Sequence, residues 1–575
     1  MKRIAAFIAS GLLLSGCGTL GGVPQAFTAQ VPTSGPIQQG AQVSGSNVDQ
    51  FIRVIARPPS PDMTATQIVQ GFLEASASFD GNHAVAREYL TPQASAAWDS
   101  SSQVVVYEGA PSLTESGPSV QVRATQVGRI AATGRYEVDP PGTEVTATFR
   151  IAQTDAGLRI DRLPNGLLLS QTDVDRAFRS YALYFFNPTF QTLVPDARML
   201  PVVGPGLATT LVRRLLEGPN DWLSPAVRTG FPEGVDLNID AVLVDGGIAR
   251  VDLSPSAQLA DDSTRQALSQ QLVWTLRQLP DVQAVDITVA GQPFFVPGVG
   301  NPQSRDAWPQ VDPAALPADA AAYVASTIGV RELTDEGTIP VPGQAGTREP
   351  LLTDIAVSLD ASRIAGVDVD GRMWSGALAQ GSTLFEFDAL PSPVNVAYDG
   401  AVNVWAVDES GALALYSPSG RAFPITVQGL GGSDVLTAAV PSRDGTRAAL
   451  LVSSGQRSYV LVARIVRASA GGRTGITVQA PIRVESRLVE TVDVAWSRAD
   501  SLAVLGSESA GSLQVFEVNI GRGSLTPQGA PEGPISVAAA PGLPTLVAAA
   551  DGVVYDNTTG SWSGRANATS PTYPG

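Results

Sequence analysis

The segment IAVSLDASRIAGV, residues 355–367, has four related copies further along the C-terminal half of the chain. The copies are NVAYDGAVNVWAV (395–407), AVPSRDGTRAALLV (439–452), VAWSRADSLAVLG (494–506) and VAAAPGLPTLVAA (537–549). Aligned on Ser358 of the first segment, successive copies advance by 40, 44, 55 and 43 residues. A spacing in the low forties, with strand–turn–strand units, is typical of the four-stranded blade of a β-propeller.

A second set of positions repeats in step with the first. Each copy is followed by a hairpin glycine and then by an aromatic residue, which we expect to pack between blades. The pairs are Gly371 and Trp374, Gly411 and Tyr416, Gly455 and Tyr459, Gly511 and Phe516, and Gly552 and Tyr555. The long third step is attributed to an insertion near residues 469–474. Because residues 320–350 can hold another, shorter blade, the sequence predicts a propeller over 318–567 with about six blades; five or seven stay open.

Two segments of the repeat region need an assignment, an acidic turn and the C-terminal tail. Residues 368–371 (DVDG) resemble the start of a calcium loop, but the later acidic ligands of a full site are missing. A similar turn recurs at residues 408–411, so a hairpin turn is favoured. The last residues, 560–575, are rich in Ser, Thr, Asn, Pro and Gly. They are expected to fray, with 568–575 as a tail outside the propeller.

Residues 181–300 combine helical and strand patterns. Apolar residues recur at helical spacing over 206–217, and a second helix is predicted after Asp261. Its apolar face comprises Leu268, Leu272, Leu276 and Leu279. A hairpin around residues 245–247 and a strand over 285–289 complete an α+β domain. The acids Asp245, Asp252 and Asp261 are assigned to a turn, a strand end and a helix cap.

Three runs in this region carry a family resemblance. They are LLEGP (215–219), FPEGVDLNIDAVLVDGGIARVDLS (231–254) and QLVWTLRQLPDVQAVDITVAGQP (271–293). They closely resemble the GerMN domain of spore-germination and sporulation lipoproteins. That family is not known as an enzyme, and the matching residues are strand, turn and packing positions. The resemblance therefore implies no catalytic residue here.

Residues 49–180 read as two helices followed by strands. Thr64 is a candidate cap for the first helix, and strands are predicted over 104–107, 120–136, 145–151 and 158–163. This order resembles the NTF2-like α+β cone, a fold whose members include enzymes, so a pocket stays open as an alternative. His83, the single histidine of the chain, is expected at the surface or at a helix start. No acid can be assigned to it as a partner in base catalysis.

The N-terminus has the pattern of a lipoprotein signal peptide. Lys2 and Arg3 precede an apolar run over residues 4–14, too short to span a membrane as a mature helix. Residues 14–17 (Leu14, Ser15, Gly16 and Cys17) resemble the bacterial lipobox, which implies cleavage after residue 16 and a diacylglyceryl group on Cys17. An incidental cysteine in an ordinary secretory signal is the alternative. Residues 17–48 form a predicted flexible tether, which spans about 30 Å if it behaves as a random coil.

Composition excludes several kinds of chemistry. The chain has 575 residues and a net charge of −17, which disfavours nucleic acid as a partner. Lys2 is the only lysine, His83 the only histidine and Cys17 the only cysteine. Without a further lysine the chain cannot form the usual phosphate-binding loop or a Schiff base, and it has too few His and Cys residues for a zinc cluster. It also has no GxSxG motif of a serine hydrolase. We therefore expect no cofactor, no metal site and no catalytic residue.

A lipobox, a helix-plus-sheet domain, a GerMN domain and a propeller, in that order, resemble the actinobacterial LpqB lipoprotein family along nearly the whole chain. The resemblance implies an accessory factor on the outer leaflet of the cell membrane. The implied partner is the extracytoplasmic domain of the MtrB sensor kinase, with effects on envelope homeostasis and cell division. Two alternatives stay open, a protein that binds cell-wall glycan or peptide and an extracellular hydrolase that uses paired carboxylates.

Overall fold

The part of the chain with described positions begins after the predicted anchor. The computed structural model describes residues 56–202, 206–387, 390–423, 425–470, 473–509, 511–558 and 560–575. The predicted lipidation site Cys17, its neighbours Leu14, Ser15 and Gly16, and the tether over 17–48 lie outside the described residues. All described residues belong to one unit, Ile52–Gly575.

The N-terminal region, residues 56–177, places three short helices on a sheet. The helices are α1 (Ala65–Ser76), α2 (Ala84–Glu88) and α3 (Pro92–Ala97). The strands are β1 (Gln103–Ser116), β2 (Ser119–Ala131), β3 (Tyr136–Val138), β4 (Glu144–Thr154), β5 (Gly157–Arg162) and β6 (Leu167–Ser170). Thr64 caps α1 as predicted, through reciprocal hydrogen bonds with Gln67. The sheet has the order β5-β4-β2-β1-β6, with β3 on β2 and β1 parallel to β6. The NTF2-like cone stays a prediction.

The middle region follows α4 (Gln171–Ala177) and spans residues 178–311. Its helices are α5 (Leu207–Glu217) and α6 (Asp262–Leu276). Its strands are β7 (Phe178–Phe186), β8 (Leu193–Pro201), β9 (Leu243–Asp245), β10 (Ile248–Leu253), β11 (Ala284–Val289), β12 (Gln292–Pro293) and β13 (Gln303–Ser304). Strands β7 and β8 pair with each other, and the second sheet has the order β12-β11-β10-β9, with β13 on β11. Because β10 and β11 are parallel, α6 is the crossover between them.

From Ala267 onward helix α6 is buried on all sides, which is more than the sequence predicted. Leu268, Leu272 and Leu276 are fully buried, as expected from their spacing. The opposite face is covered too, because α6 packs against β7 as well as α5 and β11. Gln271 makes this possible: its carboxamide donates to the Tyr184 carbonyl at 2.6 Å and accepts from the Gly230 amide. The buried polar side chain is thereby satisfied by the backbone of neighbouring elements.

The C-terminal region is a propeller, and six blades are formed by the described residues. Blade 1 contains β14 (Ala322–Ser326), β15 (Gly329–Thr334), β16 (Gly337–Pro340) and β38 (Thr569–Thr572). Blade 2 contains β17 (Leu352–Val357), β18 (Arg363–Asp368), β19 (Met373–Ala377) and β20 (Leu384–Glu386). Blade 3 contains β21 (Pro393–Tyr398), β22 (Val404–Asp408), β23 (Leu413–Tyr416) and β24 (Ala422–Phe423). The predicted number of blades is confirmed.

Blade 4 is the largest of the six. It contains β25 (Ile425–Val427), β26 (Asp434–Pro441), β27 (Arg447–Ser454), β28 (Arg457–Ala470) and β29 (Arg473–Arg483). Blade 5 contains β30 (Glu490–Arg498), β31 (Ser501–Ser507), β32 (Gln514–Asn519) and β33 (Ser524–Gly529). Blade 6 contains β34 (Pro534–Ala538), β35 (Leu546–Ala549), β36 (Val553–Asp556) and β37 (Ser563–Asn567). The predicted insertion lengthens the β28–β29 hairpin, and this explains the long third step of the repeat.

The prediction that residues 560–575 fray, with 568–575 outside the propeller, is wrong. β37 and β38 lie in this segment, and β38 pairs antiparallel with β14. Blade 1 has only three strands of its own, so the end of the chain supplies the fourth and closes the ring. Ser570 Oγ also donates to the Asp354 carboxylate at 2.9 Å. Polar composition did not reveal this role, because the pairing uses backbone groups.

Turn acids and aromatics of the repeats are only partly as predicted. Asp368 accepts hydrogen bonds from the backbone amides of residues 370 and 372, both at 2.9 Å, which confirms the hairpin turn. Asp408 binds the matching turn in blade 3 in the same way. Phe516 packs against blade 4 residues, as expected. Tyr555 does not follow this pattern, since it is partly exposed and donates to Asp551 at 2.6 Å.

Candidate functional site

His83 lies inside the N-terminal region and not at its surface. It starts α2 as predicted, in a left-handed backbone conformation with φ of +59°. Its ring packs 4.7 Å from the Phe79 ring and 5.8 Å from the Trp98 ring, measured between centroids. Burial lowers the pKa of the imidazole, and Nδ1 has no hydrogen-bond partner among the described residues. This aromatic setting makes His83 a packing residue.

The acids singled out in the middle region have structural roles. Asp261 caps α6 by accepting from Thr264 N at 2.8 Å, as predicted. Asp252, in β10, accepts from Thr288 Oγ1 and from the backbone amide of Gly291. These hydrogen bonds lower the pKa of Asp252 and outweigh the opposing effect of its partial desolvation. Asp245 ends β9 beside Arg250, at 3.6 Å. Each of the three carboxylates therefore has a local structural contact.

A cleft of about 750 Å³ opens on the middle region beside the start of α6. Its walls include three phenylalanines, Phe186, Phe190 and Phe231, and the well exposed Leu259. Asp261 is the only charged residue in the lining, and Gln270 lies at the cleft from the middle of α6. Apolar walls with a few polar groups are typical of ligand-binding sites of this size. Sequence reasoning did not find these lining residues, because the walls come from three separate segments, residues 186–190, 229–232 and 259–270.

The centre of the propeller is a narrow polar channel of about 110 Å³. Inner strands contribute Asp354, Asn395, Asp493 and Ser536, and the end of the chain adds residues 570–573 and 575. Asp493 accepts from Val537 N in the next blade at 2.8 Å, and Asn395 accepts from Ala439 N in the next blade at 3.0 Å. Polar side chains at equivalent positions of the repeat therefore connect neighbouring blades. In the repeat alignment Asp354, Asp493 and Ser536 each stand four residues before the aligned position, and Asn395 stands three before it, a signal that sequence reasoning missed.

Burial changes the titration of the channel groups. Desolvation raises the pKa of Asp354 to about 6 and that of Asp493 to about 7, with the Asp354 charge adding to the second shift. Desolvation also lowers the pKa of Arg443 to about 10. The Arg443 guanidinium donates to the carbonyls of Trp496 and Pro574 and is not paired with a carboxylate among the described residues. Placing a charged side chain in this channel therefore costs free energy, because the charge loses its contact with water.

Three regions of the chain meet at blades 4 and 5. Trp222 of the middle region donates from Nε1 to the Ala480 carbonyl of blade 4 at 2.6 Å. Arg464 of blade 4 donates back to the Trp222 carbonyl, also at 2.6 Å. Gly521 after β32 lies so close to the middle region that a Cβ there would come within 2.2 Å of the Ala197 Cβ. Only glycine allows this close approach, so the turn after β32 in blade 5 packs directly on β8 of the middle region.

The N-terminal region joins the same junction. Arg198 of β8 forms a buried ion pair with Asp196 at 2.7 Å and also donates to the Thr133 carbonyl after β2. Arg522 of blade 5 pairs with Asp175 of α4 at 2.9 Å. A cleft of about 390 Å³ remains beside this pair, between the N-terminal sheet and blade 5. Through these contacts the N-terminal region, the middle region and the propeller pack against one another.

Comparison with known proteins covers nearly all described residues. A model described as "Lipoprotein LpqB, N-terminal domain" matches residues 58–175. The Germane model, described as "Sporulation and spore germination", matches residues 182–294. A model described as "Lipoprotein LpqB beta-propeller domain" matches residues 329–574. The order of the three matches is the order predicted from the sequence.

Full-length relatives agree with these matches. A protein of Thermobifida fusca named Lipoprotein LpqB is 32% identical over 100% of this chain and 99% of its own length. The chain belongs to the LpqB lipoprotein family. A second relative of that name, from Mycolicibacterium smegmatis, is 30% identical over 88% of this chain and 86% of its own. A third, from Mycobacterium tuberculosis, is 28% identical over 89% and 92%.

Membership of the LpqB family identifies the middle region as a GerMN domain and the C-terminal region as the family's propeller domain. Among the described helices, none is both long and apolar enough to cross a membrane. Within the same residues, no three His, Cys, Asp or Glu side chains are grouped as metal ligands would be. The features that stand out in this LpqB protein are therefore the GerMN cleft, the propeller channel and the junction between regions.

The channel acids predict an unusual pH dependence of stability. Folded Asp493 holds its proton up to about pH 7, whereas the unfolded chain releases it near pH 4. Between these values the folded state binds more protons, so stability falls as pH rises, by about 1.4 kcal/mol per pH unit for each such group. Asp493→Asn should flatten the decline and be more stable than the unchanged protein at pH 8. Urea unfolding between pH 4 and pH 8 measures this, with the exposed Asp281→Asn as control. An unchanged slope in Asp493→Asn would contradict the prediction.

Proposed function

We propose that this LpqB protein is a lipid-anchored, extracytoplasmic accessory factor of a sensor histidine kinase of the MtrAB type. It acts by binding the extracytoplasmic domain of the kinase and biasing its signalling state, and not by catalysis. Effects on envelope homeostasis and cell division would follow through the kinase. The family resemblance supplies the kinase, and the surface of the GerMN domain supports a role in binding.

The observation that carries the proposal is an apolar edge on the GerMN sheet. Strand β9 pairs only with β10 among the described residues, so its other edge is free of strand partners. Leu243 in β9 is 65% exposed and Ile239 just before it is 61% exposed, with Val244 beside them also exposed. An unpaired strand edge bearing exposed apolar side chains is a site where another protein chain can add. We call these three residues the β9 edge.

Anchoring and rigidity support the same role. A lipid on Cys17 would confine the protein to the membrane surface, where a short tether raises its effective concentration near a membrane receptor. The contacts of Trp222, Arg464 and Arg522 join the GerMN domain to the propeller and the N-terminal region. A partner bound at the β9 edge is thereby attached to a body that also includes the propeller. Such a body can favour one conformation of a receptor through its differential contacts alone.

The test is capture of the kinase from cells by tagged variants of this chain. Ile239→Ser with Leu243→Ser should lower the amount of kinase recovered at least tenfold, because two apolar contacts are lost at once. The matched control is Val369→Ser, which changes a 66% exposed apolar residue in a propeller turn. It should recover the kinase as the unchanged chain does. Absence of the kinase from wild-type captures would overturn the kinase role, and equal recovery by the double variant would overturn the β9 edge.

A further inference from the structure

The cleft of the GerMN domain contains one polar side chain without a role inside the protein. Gln270 of α6 is 9% exposed and lies in the cleft lining. Among the described residues, no hydrogen bond engages its carboxamide. The neighbouring glutamines differ from it, since Gln271 pairs with Tyr184 and Gly230 while Gln266 donates to the Pro297 carbonyl at 3.0 Å. Its donor and its acceptor therefore face the water of the cleft, and a ligand that displaces this water has to replace both hydrogen bonds.

Several other polar groups of the cleft are already engaged. Asp261 accepts from Thr264 N and from Ser263 Oγ. Thr229 Oγ1 accepts from the Phe231 amide at 3.2 Å. A ligand would therefore meet the free Gln270 carboxamide, the Gln266 Oε1 atom, the partly engaged Asp261 carboxylate and the apolar side chains of the walls. Because Asp261 is the only charge in the lining, an anionic ligand would be repelled.

The apolar walls are held in place by strained backbone. Phe190 has a φ of +58°, which bulky residues rarely adopt, and its ring lies 5.1 Å from that of Phe186. The Asn187 side chain fixes this loop by accepting from the amides of Gln191 and Thr192. Leu259 on the opposite lip is 90% exposed. Large apolar side chains kept at the surface in this way mark a place where another apolar group binds.

We propose that this cleft binds an extended, uncharged peptide segment. The Gln270 carboxamide pairs with one main-chain amide of the segment, donating to its carbonyl and accepting from its N–H. An apolar side chain of the segment packs on the phenylalanine walls. The site shares no lining residue with the β9 edge, and its existence does not depend on the kinase.

Hydrogen-bonding capacity favours a peptide over a sugar. A sugar ring carries several hydroxyl groups, each of which needs a partner when it leaves water. The cleft offers the uncommitted Gln270 carboxamide and the Gln266 Oε1 atom, which could satisfy few of them. An extended peptide needs fewer partners on one side, since its N–H and C=O groups are spaced along the strand and alternate side chains point to one face. The observed lining matches that requirement.

The test is selection from a phage-displayed library of random heptapeptides on the purified chain from residue 18 onward. Enriched peptides should share an apolar residue and lack net negative charge. Their affinity should fall about tenfold for Gln270→Leu, which keeps the volume and removes the amide. Phe190→Ala changes an exposed residue without a core role and should also weaken binding severalfold. Gln283→Leu, at an exposed glutamine outside the cleft, is the matched control and should leave affinity unchanged.

Three results would overturn the peptide site. The first is the absence of any enriched heptapeptide, and the second is equal affinity for the unchanged chain and for Gln270→Leu. The third is binding of N-acetylglucosamine oligomers that is lost in Gln270→Leu while heptapeptides fail to bind, which would assign the cleft to glycan. Thermal unfolding of each variant shows that it folds. None of these results bears on capture of the kinase, so the two proposals fail separately.

Discussion

Cys17→Ser should move this protein from the membrane fraction to the soluble fraction of the cell envelope. The lipobox pattern at residues 14–17 implies a diacylglyceryl thioether at Cys17, and serine cannot form it. Each CH₂ buried in a bilayer contributes about 0.8 kcal/mol, so one acyl chain gives marginal binding and two give stable anchoring. Loss of both chains removes all of that free energy. Within the described residues no membrane-spanning helix is present to replace it.

The measurement is fractionation of cells that express the Cys17→Ser variant, with the protein detected by a C-terminal tag. Ser15→Ala is the matched control, because it keeps a small residue near the cleavage site and leaves the thiol in place. It should stay in the membrane fraction. A Cys17→Ser protein that sediments with membranes as the unchanged protein does would exclude lipid anchoring at this position. The proposed concentration of the protein near a membrane kinase would then lose its physical basis.

The propeller could be predicted because its information is repeated along the chain. Five copies of one strand–turn–strand pattern, each with its glycine and aromatic residue, give the blade size directly. The turn acids Asp368 and Asp408 could be assigned for the same reason, since each serves only its own hairpin. Features that depend on a single copy and its nearest neighbours are encoded locally. Such features can therefore be predicted from the sequence pattern of a single repeat.

The closing strand and the cleft could not be predicted, because they depend on which segments meet in space. Residues 569–572 are polar, and nothing in their composition shows that β14 lacks a partner. Gln270 and Gln271 are adjacent and chemically identical, yet one is fully engaged and the other is not. Only the positions of Tyr184 and Gly230 distinguish them. Long-range pairing, and not residue type, decides both outcomes.

Helix α6 illustrates an intermediate case. The spacing of Leu268, Leu272 and Leu276 correctly predicted a helix and one buried face. The second buried face carries Gln271 and Trp274, which the hydrophobic pattern alone would place at or near the solvent-exposed side of the helix. Their burial follows from β7, which lies more than 70 residues earlier in the sequence and packs on the helix from the other side. The spacing of apolar residues predicts which face of a helix is buried against the core. It does not predict that a further element covers the opposite face.

Truncation after Ala568 should open the propeller and destabilise it by far more than an ordinary substitution. The truncated chain loses β38, and blade 1 keeps only the three strands β14, β15 and β16. The free edge of β14 then faces water where it was paired, at Tyr323 with Thr572 and at Ala325 with Thr569. Tyr573, which is buried and donates to the Pro544 carbonyl at 2.8 Å, is lost as well. Removal of one large buried aromatic side chain costs about 3–5 kcal/mol by itself.

The closing contact also links blades that are distant in sequence, so its loss affects the whole ring. Ser570 reaches Asp354 of blade 2, and Tyr573 reaches the loop of blade 6, so the segment bridges both neighbours of blade 1. Urea unfolding should therefore show a lower midpoint and a separate early transition in the truncated chain. Tyr573→Phe, which removes only one hydrogen bond, is the control and should cost about 1 kcal/mol. A truncated chain with the same midpoint as the full chain would show that residues 569–575 do not hold the ring closed.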